Sequence, residues 1–265
     1  MNKLQIGIIG CGQMGQGIAR VCAQVGYKVK LYDSFEGAAE QAVTILLDKI
    51  PTANFQLAKS LDDVSDCDLV IEAIKEDYVT KQELFKSLSS INPSGILATN
   101  TSSLSVQRLA QAVKNPERFI GLHFMNPVHV MPLVEVIAGE LTSVNTIEQT
   151  LNFCTSIGKT AVQCQDQPGF IVNRILLPMI NQAISALEAG LANAEDIDTA
   201  MKLGGGFPMG PLALADFIGL DTCLAILQNL YEEGKNLTFQ PSELLVQKVK
   251  QGQLGKKTKQ GFFTY

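Results

Sequence analysis

Histidine is scarce in this chain of 265 residues, which carries only His123 and His129. Six cysteines (Cys11, Cys22, Cys67, Cys154, Cys164 and Cys223) form no C-x-x-C pair, and with so few imidazoles this argues against a zinc site of ordinary ligand spacing. The chain is also too long to depend on a disulfide scaffold, so the cysteines read as reduced, buried small hydrophobes. Charge is sparse, at 18% of residues against a typical ~25%. No basic surplus exists: 21 Lys+Arg face 26 Asp+Glu, a net charge of −5. Nucleic-acid and anionic-membrane binders normally show the opposite balance, so neither partner is expected, and an anionic ligand would need local donors. There is no run of 18 apolar residues and hence no expected membrane span. The stretch Met1 to Gly26 does not read as a signal peptide, because Gly7, Gly10, Gly12, Gly15 and Gly17 break any apolar core and Arg20 follows. The expectation is a soluble, cytoplasmic protein.

Apolar residues are plentiful at 46%, enough for the core of one large domain or two ordinary ones. Short apolar runs at Leu4–Ile9, Val29–Tyr32, Phe55–Ala58, Leu69–Ala73, Ile96–Thr99, Phe119–Phe124 and Leu133–Ile137 read as strands. Helical spacing fills the gaps at Met14–Val25, Gly37–Lys49, Val79–Leu88, Val106–Val113 and Thr146–Ile157. Strands alternating with helices predict βαβ units and a mostly parallel sheet covered on both faces. Phe119–Phe124 and Leu133–Ile137 are too close for a crossover helix, so that pair should be antiparallel. After Gln167-Pro168-Gly169 only helical patterns remain: Ile171–Leu187 with a break or kink at Pro178, a helix capped by Asn193, then Pro211–Ile218, Asp221–Tyr231 and Ser242–Val249. The fold class is therefore an α/β Rossmann-type domain over residues 1–165 and an all-α domain over 166–265.

Gly10-Cys11-Gly12-Gln13-Met14-Gly15 is G-x-G-x-x-G between a buried strand and a helix. Gly10 permits the tight turn, Gly12 lets backbone approach a pyrophosphate, and Gly15 lets the helix pack on the sheet. The helix start then offers N–H donors to the phosphates. Asp33 ends the second strand 18 residues after Gly15, where a carboxylate takes a ribose hydroxyl and repels a 2′-phosphate. This favours NAD over NADP, although Lys28 and Lys30 leave the question open. Remaining candidates for chemistry are Ser102, Ser103, His123, Asn126, His129, Glu135 and Asn173. A histidine serving as base towards an alcohol needs a carboxylate to orient and charge it. The antiparallel strands carrying His123 and Glu135 could supply that pair.

The chain resembles the 3-hydroxyacyl-CoA dehydrogenases over nearly its whole length. The resemblance rests on Ile8–Ala19 (IIGCGQMGQGIA), Asp68–Ile74 (DLVIEAI), Asn100–Leu104 (NTSSL), Gly121–Ile137 (GLHFMNPVHVMPLVEVI), Pro168–Ile175 (PGFIVNRI), Asp196–Leu203 (DIDTAMKL), Pro208–Pro211 (PMGP) and Gly255–Tyr265. It implies that His123 is the catalytic histidine and Glu135 its carboxylate. It further implies that Ser102 contacts substrate and that Asn173 approaches substrate from the second domain. Glu76 and Lys81 match positions near the nicotinamide ribose and pyrophosphate, joining Gly10, Gly12, Gln13, Met14, Gly15 and Asp33 as cofactor residues. The implied cofactor is NAD, the implied substrate an acyl-CoA, and the implied assembly a homodimer through the helical domain.

Each assignment has a plainer competitor. Ser102 or Ser103 could cap the following helix, Asn173 could be an exposed polar position, Glu135 could face solvent, and Lys81 could lie on a solvated helix face. His129 stands where the family has proline and reads as incidental. Lys248, Lys250, Lys256, Lys257 and Lys259 read first as a solvated tail and second as a contact to CoA phosphate. Met125 replaces a phenylalanine, and Asp77 replaces an asparagine and adds negative charge beside Glu76. Only 35 positions separate Asp33 from Asp68, a segment shorter than in the family, where it helps hold the CoA nucleotide. Two rival functions follow: an NAD-binding structural or redox-sensing protein without turnover, and a dehydrogenase of a small hydroxy acid without CoA.

Overall fold

Runs of four to six apolar residues bounded by turn formers pack as strands covered on both faces. The computed structural model describes residues 4–265, with the side chains of 233 and 234 excepted, and it divides into two units, Met1–Phe170 and Ile171–Tyr265. In the first unit β1 (Gln5–Ile9), β2 (Lys28–Tyr32), β3 (Phe55–Leu57), β4 (Leu69–Glu72), β5 (Ile96–Thr99), β6 (Phe119–Phe124), β7 (Leu133–Ala138) and β8 (Thr160–Gln165) form one sheet. Its order is β3-β2-β1-β4-β5-β6-β7-β8. The strands from β3 to β6 pair in parallel, β7 runs antiparallel to β6, and β8 is parallel to β7.

Helices α1 (Gln13–Gln24), α2 (Ala38–Lys49), α3 (Tyr78–Ile91), α4 (Val106–Ala110) and α5 (Val144–Ser156) cover the sheet. One face buries Ile6, Ile8, Leu31 and Leu122 against Ile18, Leu46 and Phe153 of α1, α2 and α5. The other buries Val70, Leu97 and Phe119 against Phe85 and Leu109 of α3 and α4. Phe85 meets Phe119 edge-on, with ring centroids 4.7 Å apart, so truncating either to alanine should cost about 3–5 kcal/mol.

The sequence pattern missed β8. Its residues TAVQCQ are mostly exposed or half-buried, since an edge strand has no outer neighbour and needs no continuous apolar run. Only its pairing to β7, from Leu133↔Thr160 to Ala138↔Gln165, makes it a strand. α4 also ends earlier than its spacing predicts, at Ala110 rather than Val113.

The second unit comprises α6 (Val172–Glu188), α7 (Ala194–Gly205), α8 (Pro211–Ile218), α9 (Leu220–Gly234) and α10 (Glu243–Lys250). Leu177, Ile180, Ile184, Leu212, Leu220, Leu227 and Leu245 form its core. α6 runs through Pro178 as one helix. Asn193 caps α7 as expected, accepting from the Asp196 N–H at 2.8 Å. Buried Asp216 accepts the Phe262 and Phe263 N–H groups, both at 2.9 Å, and so folds the end of the chain back onto α8. The end of the chain is consequently folded, while Lys250, Lys256, Lys257 and Lys259 of the basic run stay exposed to solvent. Lys248 donates to the Gly261 carbonyl at 2.8 Å, and Lys257 pairs with Asp221 at 2.5 Å. Among the described residues no helix is long and apolar enough to cross a membrane.

Candidate active site

Parallel strands place their carboxyl ends on one edge of a sheet, and ligands bind there where the strand order reverses. That reversal lies between β1 and β4. Gly10 follows β1 with φ +98°, and a Cβ there would lie 2.6 Å from the Ala73 carbonyl oxygen. A Cβ at Gly15 would lie 1.8 Å from the Gly10 oxygen, which makes glycine obligatory for the close approach of α1. Gly12 differs: a Cβ there would meet nothing within 4 Å. Crowding thus accounts for two glycines, and open space beside backbone accounts for the third. No side chain caps the first turn of α1, formed by Gln13, Met14 and Gly15, so its N–H donors and partial positive charge are available to an anion. These features fit the pyrophosphate of a dinucleotide.

Asp33 follows β2 and is oriented by two backbone donors, Cys11 N–H at 2.7 Å and Phe35 N–H at 2.9 Å. Its remaining lone pairs suit a ribose diol. Lys30 is engaged elsewhere, 2.6 Å from Asp66 Oδ1 and 2.7 Å from the Asp63 carbonyl, while Lys28 is exposed. The Cys11 thiol between the glycines is pushed up to about 12 by burial, with Asp33 and Glu40 adding to it, so it is not a nucleophile near neutrality.

A charged network lies across the ends of β4 and β5. Glu72, the last residue of β4, is wholly buried and was not singled out by the sequence reading. It accepts from Lys81 Nζ at 2.5 Å, Thr99 Oγ1 at 2.7 Å and Ile74 N–H at 2.7 Å. Burial raises its carboxyl above the usual range, and the Lys81 ammonium and the hydrogen bonds only partly offset this. The signal was present in sequence: a glutamate inside the apolar run LVIEA must bury its charge against a cation. Lys81 therefore does not lie on a solvated helix face; its side chain is 1% exposed.

Lys81 also stands 3.4 Å from Glu76 Oε2. The other oxygen of Glu76 collects Thr101 Oγ1 at 2.6 Å, Ser102 N–H at 2.8 Å, Ser103 N–H at 3.0 Å and Ser103 Oγ at 3.1 Å. Burial alone would raise this carboxyl, yet Lys81 and the four donors hold it below its ordinary value. Glu76 thereby fixes the loop that presents Ser102. Neither Ser102 nor Ser103 caps α4, because Ser105 does so by accepting the Arg108 N–H. Asp77 caps α3, accepting from the Thr80 N–H at 2.9 Å. An aspartate serves this position as well as an asparagine, and its charge is spent on the helix start.

His123 and Glu135 are directly opposed in the β6–β7 register. Since β7 runs antiparallel, its third residue returns to the end of β6, where His123 is the penultimate residue. His123 Nδ1 lies 2.7 Å from Glu135 Oε2. Glu135 is fully buried and His123 is 5% exposed, so Glu135 does not face solvent. The ring's other nitrogen, Nε2, has no hydrogen-bond partner among the described residues. Phe170 packs against the imidazole with ring centroids 5.6 Å apart. Asn100 Oδ1 accepts from the Phe124 N–H at 2.9 Å, tying the ends of β5 and β6 together beside the histidine. Asn173 stands in the first turn of α6, in the second unit. The structure thus brings together His123 with Glu135 and, separately, Glu76 with Ser102 and Lys81.

Family comparison gives the same picture over both units. Residues 5–52 and 49–167 match the model described as 3-hydroxyacyl-CoA dehydrogenase, NAD binding domain. Residues 169–265 match the corresponding C-terminal domain. A 3-hydroxybutyryl-CoA dehydrogenase of Bradyrhizobium diazoefficiens is 47% identical, the match covering 98% of this chain and 95% of that one. A protein of Bacillus subtilis described as a probable 3-hydroxybutyryl-CoA dehydrogenase is 45% identical, covering 100% and 98%. The solved (S)-3-hydroxybutyryl-CoA dehydrogenase of Ralstonia eutropha superposes with a TM-score of 0.93 at 40% identity, over 100% of this chain and 99% of that one.

Proposed function

The chain belongs to the 3-hydroxyacyl-CoA dehydrogenase family, and from that premise we propose how its residues interconvert an L-3-hydroxyacyl-CoA and its 3-oxoacyl-CoA. The observation that carries the reading is the 2.7 Å His123–Glu135 pair at the strand edge that also bears the dinucleotide cradle. NAD supplies the hydride acceptor when bound; Gly12, the first turn of α1 and Asp33 hold it. In oxidation His123 Nε2 takes the proton of the 3-hydroxyl while hydride leaves C3, and in reduction it returns that proton to the 3-oxo oxygen. Glu135 fixes the ring through Nδ1, leaves Nε2 for the substrate and stabilises the imidazolium. Ser102 and Asn173 position the substrate oxygens, an alignment worth several powers of ten in rate when reacting groups are held together. Glu76 would meet the nicotinamide ribose, and buried Lys81, 3.4 Å from Glu76 Oε2, would act there through Glu76 rather than by touching cofactor.

The acyl group is short, as in the named substrates of the relatives. The protein is a homodimer through its helical unit, which exposes Ile175, Leu191, Leu203 and Leu237. Six unpaired cysteines suit a reducing cytoplasm. Oxidation of NADH by acetoacetyl-CoA, followed by loss of its near-ultraviolet absorbance and compared with free acetoacetate, tests the reading. Preference for the thioester supports it. Equal kcat/KM for the two would favour the small-acid dehydrogenase, and no turnover of either would favour a non-catalytic NAD-binding protein. Asp33→Ser should narrow the preference for NADH over NADPH, and better use of NADPH by the wild type would overturn the role given to Asp33.

A further inference from the structure

Side chains alternate along a strand, so Phe119, Gly121 and His123 of β6 follow one another on one face of the sheet. Phe85 of α3 covers Phe119 edge-on. A Cβ on Gly121 would lie 2.8 Å from Val106 of α4, so that helix covers the second position. The third, His123, is covered by Phe170, which belongs to neither helix; the ring centroids are 5.6 Å apart and the planes inclined by 56°. Phe170 is 4% exposed and joins the apolar cluster that holds Phe119 and Val106.

Phe170 reaches this place against a backbone preference. Its φ is +51°, a left-handed conformation that a residue with a Cβ adopts only at a cost in free energy. The turn before it enforces that geometry. The Phe170 N–H donates to the Gln167 carbonyl at 2.9 Å, with Pro168 and Gly169 between them and Gly169 at φ +76°, the pattern of a type II turn. Asp166, just upstream, is fixed as well: its Oδ2 accepts from Ser105 Oγ and the Gln107 N–H, both at 2.7 Å. Residues 166–170 are thus pinned at both ends, to the start of α4 and to the imidazole. Strained backbone of this kind persists only where the surroundings over-determine it, and it gathers at working sites.

We propose that Phe170 is a positioning residue for His123, acting through the imidazole and not on substrate; the proposal rests on the dehydrogenase reading above. One hydrogen bond through Nδ1 leaves an imidazole able to rock about that contact. A flat ring against its face removes this freedom and keeps water from the Nδ1–Glu135 contact, so Nε2 is held in one direction. A reacting group displaced by about 1 Å can lose on the order of a hundredfold in rate. A leucine would fill most of the same volume and bury a similar apolar area. Only a rigid aromatic plane gives the imidazole a wall with the tilt that ring pairs favour. Phe170 is also the last residue of the first unit, so the same contact fixes where the chain departs for α6.

The test compares Phe170→Leu and Phe170→Ala with their parent, all carrying His129→Gln so that His123 is the only imidazole. Single-turnover reduction of acetoacetyl-CoA by NADH should slow about 10- to 100-fold in both variants, with KM for either substrate changed less than about twofold. In nitrogen-15 spectra of the parent, the His123 Nδ1 proton should be resolved and slow to exchange with water. In Phe170→Leu its exchange should be faster by about tenfold or more, while the backbone amides of β6 keep their rates. A normal rate in Phe170→Leu, with loss only in Phe170→Ala, would make Phe170 a filler of space and overturn the proposal. So would a rise in KM without a fall in rate, or β6 amides that exchange faster to the same extent as the imidazole proton. If neither variant folds, the parent decides: a rapidly exchanging Nδ1 proton, or no nuclear Overhauser effect between the imidazole and the Phe170 ring, overturns it. A parent that turns over no substrate defeats the dehydrogenase reading instead, and the exchange comparison then still decides whether Phe170 holds the ring.

Discussion

Two buried pairs of a carboxylate and a base stand a few strands apart in one sheet, and they are built oppositely. His123 Nδ1 lies 2.7 Å from Glu135 Oε2, and the imidazole Nε2 has no hydrogen-bond partner among the described residues. Lys81 is enclosed: Glu72 at 2.5 Å, Glu76 at 3.4 Å and the Ile74 carbonyl at 3.5 Å surround its ammonium. A group that must exchange a proton needs an unfilled position and a side chain that titrates near neutrality. A group that must hold a loop in place is better saturated, because each unpaired buried charge is expensive. Satisfaction of the buried base, more than its burial, separates the pair proposed for catalysis from the supporting one.

His123→Asn should break the first pair most severely, lowering kcat by ~10²–10⁴ with little change in substrate KM, since the lost proton transfer acts in the transition state. A nearly normal kcat in steady-state assays would move catalysis away from this histidine. Lys81→Met should instead cost stability, about 3–5 kcal/mol in urea denaturation, by leaving Glu72 buried without its cation. Glu72→Gln/Lys81→Met should recover most of that loss. A single variant as stable as the wild type would show that the network does not carry the fold.

Glu135→Gln sharpens the contrast through pH. The carboxylate stabilises the imidazolium, so its loss should move the optimum of acetoacetyl-CoA reduction to lower pH and reduce kcat near neutrality about tenfold. An unmoved pH–rate profile would leave Glu135 a purely steric support. The smallest effect is expected at Glu76, whose carboxyl is held below its ordinary value. A lowered acid contributes stability that is present above the unfolded value and lost as pH falls through the folded one. Glu76→Gln should therefore flatten the acid side of the stability curve, below about pH 4.3, and raise KM for NADH without a matching fall in kcat. A curve parallel to the wild type would remove Glu76 from the acid response.

Much of this was legible because it is encoded locally. The G-x-G-x-x-G turn, the aspartate after β2 and the short connection between β6 and β7 each lie within a few tens of residues, and the His123–Glu135 pairing follows from an antiparallel return. β8 was not legible, since an edge strand of polar alternation has no signal apart from its partner. Glu72 could have been found by asking what neutralises a glutamate in an apolar strand. The resemblance to the family drew attention to Glu76 and Lys81 as cofactor residues, whereas the Lys81 ammonium is buried against Glu72, a residue the resemblance did not point to.

The amino-acid sequence by itself determined the alternation of strands and helices, the dinucleotide turn and the antiparallel return that sets Glu135 opposite His123. Periodicity, turn chemistry and glycine spacing are properties of neighbouring residues. Tertiary structure alone decided which charges meet. Lys81 is enclosed by carboxylates, and Glu76 gathers a loop 25 to 27 residues away. Charge pairing depends on distance and desolvation, and both are set by sheet order and packing rather than by separation along the chain.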